Sequence, residues 1–332
     1  MKGFEAVASA IGKQAMSKDG ATLHVGDFLY SLKEKGHESW EAWENEFFLP
    51  GDTLFSKTPF IFVRGNHEDC GAVKKGYRGW FYFFGPKAGS MEGMTPEDCK
   101  KTSKISDAYY LDYGRTILAI LDSSSAPSFD ESETKILTEQ LKKLNHDIET
   151  TEDIQKNEAM IATHCPFWGA SISDPKSGKK PGKQTLALQN AYDQFMKQSP
   201  NSHFRHVISG HRHLFDILKF KDPTINQLIV GNGGVELDVG HEHSHFDHLA
   251  FDGTPEDRGL LLHGERNTNP QSSILEHGFV KISVGAKKED MHKIQYCNTK
   301  NHCEHFYIGN CPPDQTLEKR GSDTSLQCHK SK

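Results

Sequence analysis

Residues 60–68 read FIFVRGNHE, an apolar run that stops abruptly in a small polar cluster. Five other apolar runs end in the same way, in glycine or in polar residues, and they cover residues 22–25, 116–121, 160–162, 206–208 and 228–230. Short apolar runs bounded by turn residues are typical of buried strands, and functional groups commonly follow the carboxyl ends of such strands. Six endings of this kind predict one site assembled from several strand tips.

Between these runs, apolar residues recur three and four positions apart, which indicates amphipathic helices. The three sets are Phe4, Val7, Ile11 and Ala15; Leu137, Leu141 and Leu144; and Leu188, Tyr192, Phe195 and Met196. The alternation of strands and helices predicts a layered α/β domain over residues 1–284, with a last strand at residues 279–284. From about Gly285 the apolar periodicity is lost, and residues 285–332 are interpreted as a Cys-rich tail.

The composition is that of a folded protein without a strong overall charge. Of the 332 residues, 35% are apolar and 25% are charged, which provides enough apolar material for a core. The net charge of -6 argues against a dedicated nucleic-acid-binding protein, because it gives no global basic field. No stretch approaches the roughly 18 apolar residues of a membrane span, and Met1 is not followed by the apolar core of a signal peptide. The oligomeric state is not predicted.

Cysteine usage bears on the compartment. Four of the seven cysteines, Cys297, Cys303, Cys311 and Cys328, lie in the tail, and none of them forms a C-x-x-C pair. Disulfides are therefore favoured there over a zinc knuckle, with Cys165 as the odd thiol. This usage favours a secreted, periplasmic or lumenal protein, whereas the N-terminus of the chain carries no export signal.

The strand ends together supply a set of oxygen and nitrogen donors: Asp27, Tyr30, Asn66, His67, His164, His211 and His213. Such a set suits zinc, iron and manganese, and the number of donors fits two ions better than one. A carboxylate at a strand end can bridge two ions, and a His-x-His pair can direct one imidazole to each. Taken singly, each residue has an ordinary alternative, such as a turn former, a helix cap or a packing side chain.

The spacing of these residues resembles a known family. Gly26-Asp27-x-x-Tyr30, Gly65-Asn66-His67-Glu68, Ile161-x-x-His164 and Gly210-His211-x-His213 are similar to four of the five sequence blocks of the calcineurin-like metallophosphoesterases. The tyrosine three residues after the aspartate is closest to the purple acid phosphatase branch. The resemblance implies a β-sandwich flanked by helices, in an αββα order, that hydrolyses a phosphate mono- or diester by attack of a hydroxide formed on two metal ions.

The resemblance also implies a role for each residue. Asp27 would bridge the two ions; Asn66, His164 and His211 would complete one site, and Tyr30 and His213 the other. Iron is implied, with zinc, manganese or a second iron as its partner. The catalytic residues would be Asp27, Asn66 and His67. His67 would stand beside the phosphate and stabilise charge or protonate the leaving oxygen.

One block of the family pattern is absent, namely an N-terminal strand that ends in Asp-x-His or Asp-x-Gly. Its aspartate would share a metal with Tyr30, and Asp19 cannot replace it because it lies in a predicted turn. Two expectations remain open: the natural protein starts upstream of Met1, or the site is reduced. A non-catalytic or impaired metal-binding descendant of the same fold is therefore the alternative function.

Two further segments carry alternatives. The stretch 174–184, rich in lysine, glycine and proline, is either a solvated loop or a basic element that attracts an anionic substrate. His241, His243, His245 and His248 form a second histidine group. Such a group is often merely exposed, but it can line a pocket or bind a metal.

Overall fold

The computed structural model describes residues 2–14, 20–30, 39–70, 76–84, 95–103, 105–113, 116–126, 131–150, 158–168, 186–220, 226–234, 237, 260–262, 276–283, 292–308, 315–319 and 326–330. The loop at 174–184 and the histidine group at 241–248 lie outside the described residues. Among the described helices, none has both the length and the apolar character that crossing a bilayer requires.

The described helices are α1 (Lys2–Gly12), α2 (Trp40–Trp43), α3 (Leu49–Phe55), α4 (Tyr77–Phe83), α5 (Pro96–Ser103), α6 (Glu131–Thr150) and α7 (Leu186–Gln198). The described strands are β1 (Thr22–His24), β2 (Phe60–Phe62), β3 (Tyr109–Asp112), β4 (Thr116–Ile120), β5 (Glu158–Ala162), β6 (Phe204–Ser209), β7 (Phe215–Phe220), β8 (Asn226–Val230), β9 (Leu260–Leu262), β10 (Gly278–Ser283), β11 (His292–Asn298), β12 (Cys303–Ile308), β13 (Gln315–Lys319) and β14 (Leu326–Lys330).

The strands form one large sheet and three small ones. The large sheet has the order β3-β4-β5-β6-β8-β7-β9, and β4, β5, β6 and β8 run parallel within it. β1 and β2 form a separate parallel pair, β10, β11 and β12 form an antiparallel sheet, and β13 pairs with β14. Because the carboxyl ends of parallel strands meet at one edge, this topology gathers the strand-end residues of the large sheet.

The alternation of side chains along β4 shows how the layers stack. Ile117 and Ala119 pack with the apolar faces of α6 and α7. Leu118 and Ile120 point the other way and pack with Ile61 of β2. This is the period of two expected for a strand with both faces buried. On the far side of the small sheets, α1 packs against β10, and α2 to α4 contribute to a cluster of aromatic rings. The predicted αββα sandwich is confirmed.

All six strands predicted from apolar runs are formed, as β1, β2, β4, β5, β6 and β8, with ends within two residues of the prediction. The helical patterns lie in α1, α6 and α7, except that α1 ends at Gly12 and Ala15 lies outside the described residues. No element is predicted after residue 285, yet β11 to β14 lie there, and β11 pairs with the whole of β10. The apolar pattern of β11 is short. Its buried residues are Ile294, Tyr296 and Cys297, and polar residues surround them in the sequence. The division of the chain at residue 285 stays a prediction.

Two disulfides link described cysteines. Cys297–Cys303 joins β11 to β12, in agreement with the expectation of a disulfide in the tail. Cys70–Cys99 was not predicted, and it ties the segment that follows β2 to α5. Cys165 is buried and belongs to neither disulfide, as expected. Cys311 and the side chain of Cys328 lie outside the described part.

His24 belongs to an aromatic cluster beside the end of β1. Its ring stacks on Phe28 at 4.3 Å between centroids and meets Phe47 edge-on at 5.3 Å. Burial lowers the pKa of His24 to about 4, and the nearby Asp27 carboxylate opposes this shift only in part. The imidazole is therefore neutral in the folded protein at pH 7.

We expect His24 to make the metal-free protein sensitive to mild acid. Its folded-state pKa lies below the ordinary value, so its contribution to stability is complete above about pH 6.5 and is lost as the pH falls towards 4. Between pH 7 and 5 this loss is at most about 2 kcal/mol. Urea denaturation at both pH values should show a smaller loss for His24→Phe than for the wild type. The exposed His146→Gln variant is the control, and an unchanged loss in His24→Phe would contradict the account.

Candidate metal centre

The loop after β1 places Asp27 in a strained backbone conformation. Gly26 has φ 98° and Asp27 has φ 58°, in the left-handed region that non-glycine residues rarely adopt. The carboxyl group of Glu68, which is completely buried, accepts hydrogen bonds from the backbone N–H of Asp27 at 3.2 Å and of Phe28 at 2.9 Å. Burial and the nearby Asp27 raise the pKa of Glu68 to about 8, so it is largely protonated at pH 7. Its hydrogen bonds offset the strain of the Asp27 backbone.

Three side chains from three strand ends meet beside Asp27. The Oδ1 atom of Asn66 lies 2.9 Å from Nε2 of His164 and 2.9 Å from Nδ1 of His211. The two imidazole nitrogens lie 3.2 Å apart, and Oδ1 of Asp27 lies 3.3 Å from Nε2 of His164. His211, like Asp27, has a positive φ, of 66°. Strain at two positions of one site suggests that the site, and not the chain's local preference, sets this geometry.

The hydrogen bonding of His164 suits metal binding. Its Nδ1 lies 2.7 Å from the carbonyl oxygen of Val25 and donates to it, so in the neutral form of the ring, which metal binding requires, the lone pair lies on Nε2. That lone pair faces two further acceptors, the Asn66 and Asp27 oxygens. Donor atoms about 2.1 Å from one metal ion lie roughly 3.0–3.4 Å apart, which is the spacing found here. The residues present therefore fit a metal ion.

A second group of donors faces the other oxygen of Asp27. The Tyr30 hydroxyl lies 3.2 Å from Oδ2 of Asp27 and 3.2 Å from Nε2 of His213. Glu46, a buried residue, accepts a hydrogen bond from the backbone N–H of Tyr30 at 2.7 Å and so holds this residue in place. The two carboxylate oxygens of Asp27 thus point to two different sets of donors.

His67 stands next to both groups without joining either. Its Nδ1 hydrogen-bonds to the carbonyl oxygen of Leu29, and its Nε2 lies 3.7 Å from Oδ2 of Asp27. The backbone N–H of His67 donates to Oδ1 of Asp27 at 3.0 Å. With Nδ1 held by a carbonyl group, the Nε2 edge of the ring faces the Asp27 carboxylate.

The charge states of the buried groups match those that metal ligands need. Burial alone would raise the pKa of Asp27, but His164, His67 and the His67 N–H outweigh it and lower that pKa to about 2. Burial, together with His164, lowers the pKa of His211 to about 3. At pH 7 the site therefore offers a charged carboxylate and a neutral imidazole, the forms that coordinate metals.

Five of the donor residues line a cavity of about 680 Å³, namely Asp27, Tyr30, His164, His211 and His213. Its wall is otherwise largely apolar and includes Leu23, Ile61, Leu118, Met160, Ile208 and Ile282. β1 and β10 both line it, and within the described residues each of these strands pairs with a single neighbour. The polar groups of the site are thus concentrated in one part of an otherwise apolar cavity.

The structure brings together all seven residues that the sequence analysis singled out, although their roles as ligands stay a prediction. Sequence reasoning missed the supporting residues Glu46 and Glu68, whose side chains hold backbone N–H groups of the Asp27–Tyr30 loop. It also set Cys165 aside. The thiol of Cys165 and the ligand atoms of His164 and His211 all lie within 4.8 Å of one another.

Gly65 provides a test of the close approach between the loop after β2 and the loop after β1, which carries Asp27. A methyl group added at Gly65 would collide with the backbone nitrogen and the carboxylate of Asp27, although its φ of -88° suits any residue. Gly65→Ala should therefore lower the free energy of unfolding by about 1–3 kcal/mol, as overpacking does. Gly233→Ala is the matched control, because its added methyl group would meet nothing within 4 Å. Equal stability of the two variants in denaturant titrations would refute the described approach of the two loops.

Comparison of solved structures finds chains with a similar fold. Purple acid phosphatase PPD1 from yellow lupin (Lupinus luteus) seeds matches with a TM-score of 0.51 and 14% identity, over 90% of this chain and 47% of that chain. GAP50, described as the anchor in the inner membrane complex of Plasmodium, matches with a TM-score of 0.49 and 12% identity, over 94% and 86% of the two chains. This chain thus spans about half the length of the lupin protein.

Sequence comparison gives the family. A search of curated proteins finds no match. The family model described as calcineurin-like phosphoesterase matches residues 3–215, a segment that includes all the donor residues above. Because the match covers more than half of its length, the chain belongs to the calcineurin-like phosphoesterase family.

Proposed function

We propose that this protein hydrolyses a phosphate mono- or diester with two metal ions held by its strand-end residues. Membership of the family implies metal-dependent hydrolysis of phosphate esters and a pair of metal ions. The observation that carries the finer proposal is the position of Asp27, whose two oxygens face two separate sets of donors. A carboxylate in that position can bridge two cations.

Each cation would have its own set of ligands. Asn66, His164 and His211 would hold one, and the 2.9–3.2 Å spacing of their donor atoms supports this assignment. Tyr30 and His213 would hold the other, since the phenol oxygen lies 3.2 Å from the imidazole nitrogen. When bound, two such cations polarise a phosphoryl group and lower the pKa of a water molecule, which supplies a nucleophile at neutral pH.

The chain's own residues supply orientation and a proton. The Glu68 carboxyl group holds the Asp27 backbone and the His67 N–H holds the Asp27 side chain, so that little reorganisation is needed when substrate arrives. Because the Leu29 carbonyl holds the Nδ1 proton of His67, the protonated ring can release its second proton from Nε2. This nitrogen is 3.7 Å from the Asp27 carboxylate, and it can protonate the leaving oxygen of an ester bound beside Asp27.

Loss of a ligand should remove both metal and activity. Asn66→Ala and His211→Ala each delete a donor from the same cluster, so we expect reduced metal content by elemental analysis. Hydrolysis of an activated aryl phosphate should fall by at least about a hundredfold. His146→Ala, on the exposed face of α6, is the control.

His67→Ala is the contrasting variant, because it should keep the metal ions and slow the reaction. The loss should be larger for esters with poor leaving groups, since these need the proton most. The ligand assignment would be wrong if Asn66→Ala and His211→Ala retained normal metal content and turnover.

The identity of the metal beside Tyr30 can be tested by colour. A phenolate is a hard anionic donor that suits a trivalent ion, and a tyrosinate bound to ferric iron absorbs visible light by charge transfer. The oxidised, iron-loaded protein should therefore be coloured, and Tyr30→Phe should bleach it. Tyr82→Phe, at an exposed tyrosine, should leave the spectrum unchanged. A colourless active protein, or colour that survives in Tyr30→Phe, would remove Tyr30 from the ligand set.

A further inference from the structure

Arg64, next to the Asn66 loop (residues 65–68), is a buried cation that touches no donor atom of the metal centre in the contacts described above. Its side chain is 1% exposed and pairs with Asp122 at 3.2 Å. Its Nε donates to the carbonyl oxygen of Glu68 at 2.8 Å, and its guanidinium lies 4.8 Å from the centre of the Phe81 ring. A buried arginine is costly unless it is paired in this way, so its position is tightly determined.

The partners of Arg64 connect several parts of the fold. Asp122 follows β4, and it also accepts hydrogen bonds from the backbone N–H of Ser106 at 2.8 Å and of Ser124 at 2.9 Å. The guanidinium also donates to the sulfur of Cys70 at 3.3 Å. Cys70 is buried and is covalently joined to Cys99 in α5. Arg64 therefore connects the Asn66 loop to the large sheet and, through the disulfide, to α5.

The Asn66 loop in turn fixes the centre. Asn66 offers its oxygen to two imidazoles, and Glu68 holds the strained backbone of Asp27. The same four residues anchor both ends of this short loop: Arg64, Asp122, Cys70 and Cys99. We call this set the Arg64 brace. A small shift of the loop would move Asn66 and Asp27 together, and metal sites tolerate displacements of only about 0.5 Å.

We propose that the Arg64 brace consists of positioning residues that hold the Asn66 loop in its metal-binding geometry. The proposal rests on the proposed function and deepens it, because it names what sets the affinity of the Asn66-side metal. The brace acts through Asn66 and Glu68, the two loop residues that contact the metal centre. Loss of the brace should therefore weaken metal binding, raise KM and lower kcat, although every metal ligand is still present.

The chain offers a matched pair of disulfides for the test. The double variant Cys70→Ser/Cys99→Ser opens the brace, and Cys297→Ser/Cys303→Ser opens the disulfide between β11 and β12. We expect at least tenfold weaker Zn²⁺ binding by titration calorimetry for the first variant and less than a twofold change for the second. Equal Zn²⁺ affinity in the two double variants, both folded, would overturn the proposal.

A milder change guards against unfolding. Arg64→Lys keeps the charge but loses the fork that reaches Glu68, Asp122 and Cys70 at once. It should weaken Zn²⁺ binding several-fold and speed amide hydrogen exchange at residues 66–68, while exchange in α6 stays unchanged. Unchanged exchange and affinity in Arg64→Lys would also overturn the proposal.

Different results would refute the proposed function and the proposed role of the Arg64 brace. A wild-type protein that binds no Zn²⁺ and hydrolyses no phosphate ester would refute the proposed function. In that case faster exchange at residues 66–68 in Cys70→Ser/Cys99→Ser would still support the brace, and unchanged exchange would overturn it.

Discussion

Nε2 of His164 faces the Asn66 and Asp27 oxygens at 2.9 and 3.3 Å, while its other nitrogen is committed to a backbone carbonyl group. With the His164 ring neutral, as metal binding requires, acceptor atoms packed this closely repel one another, and burial strengthens the repulsion because little water screens it. The cation that we propose for this site would turn the repulsion into coordination. Much of the surrounding structure serves to keep this unfavourable set of acceptors in place.

The fold achieves this by bringing rigid strand ends together. β4, β5, β6 and β8 run parallel, so His164 and His211 emerge at one edge of the large sheet, opposite the ends of β1 and β2 that carry Asp27 and Asn66. Apolar contacts between the two layers, such as those of Ile61 with Leu118, fix their separation. The strained φ values of Asp27 and His211 are then set by packing and by Glu68, not by local preference.

The sequence identifies residues that meet in the fold because each of them follows an apolar run, and the ends of such runs are visible in one chain. It does not predict their supports. Arg64 pairs with Asp122, which is 58 positions away in the sequence, and Cys70 is bonded to Cys99, which is 29 positions away. Such pairs can be recognised only from the three-dimensional structure. Glu46 lies in a helical segment whose pattern shows nothing of its contact with Tyr30. Spacing identifies groups that act at strand ends, whereas buried polar partners depend on tertiary packing.

Anomalous diffraction from crystals of the Zn²⁺-loaded protein, recorded above and below the zinc absorption edge, tests the central claim most directly. The account predicts two peaks, one within bonding distance of Asn66, His164 and His211 and one beside Tyr30 and His213, with Asp27 in contact with both. A single peak bound by Cys165, or no peak near Asp27, would contradict it.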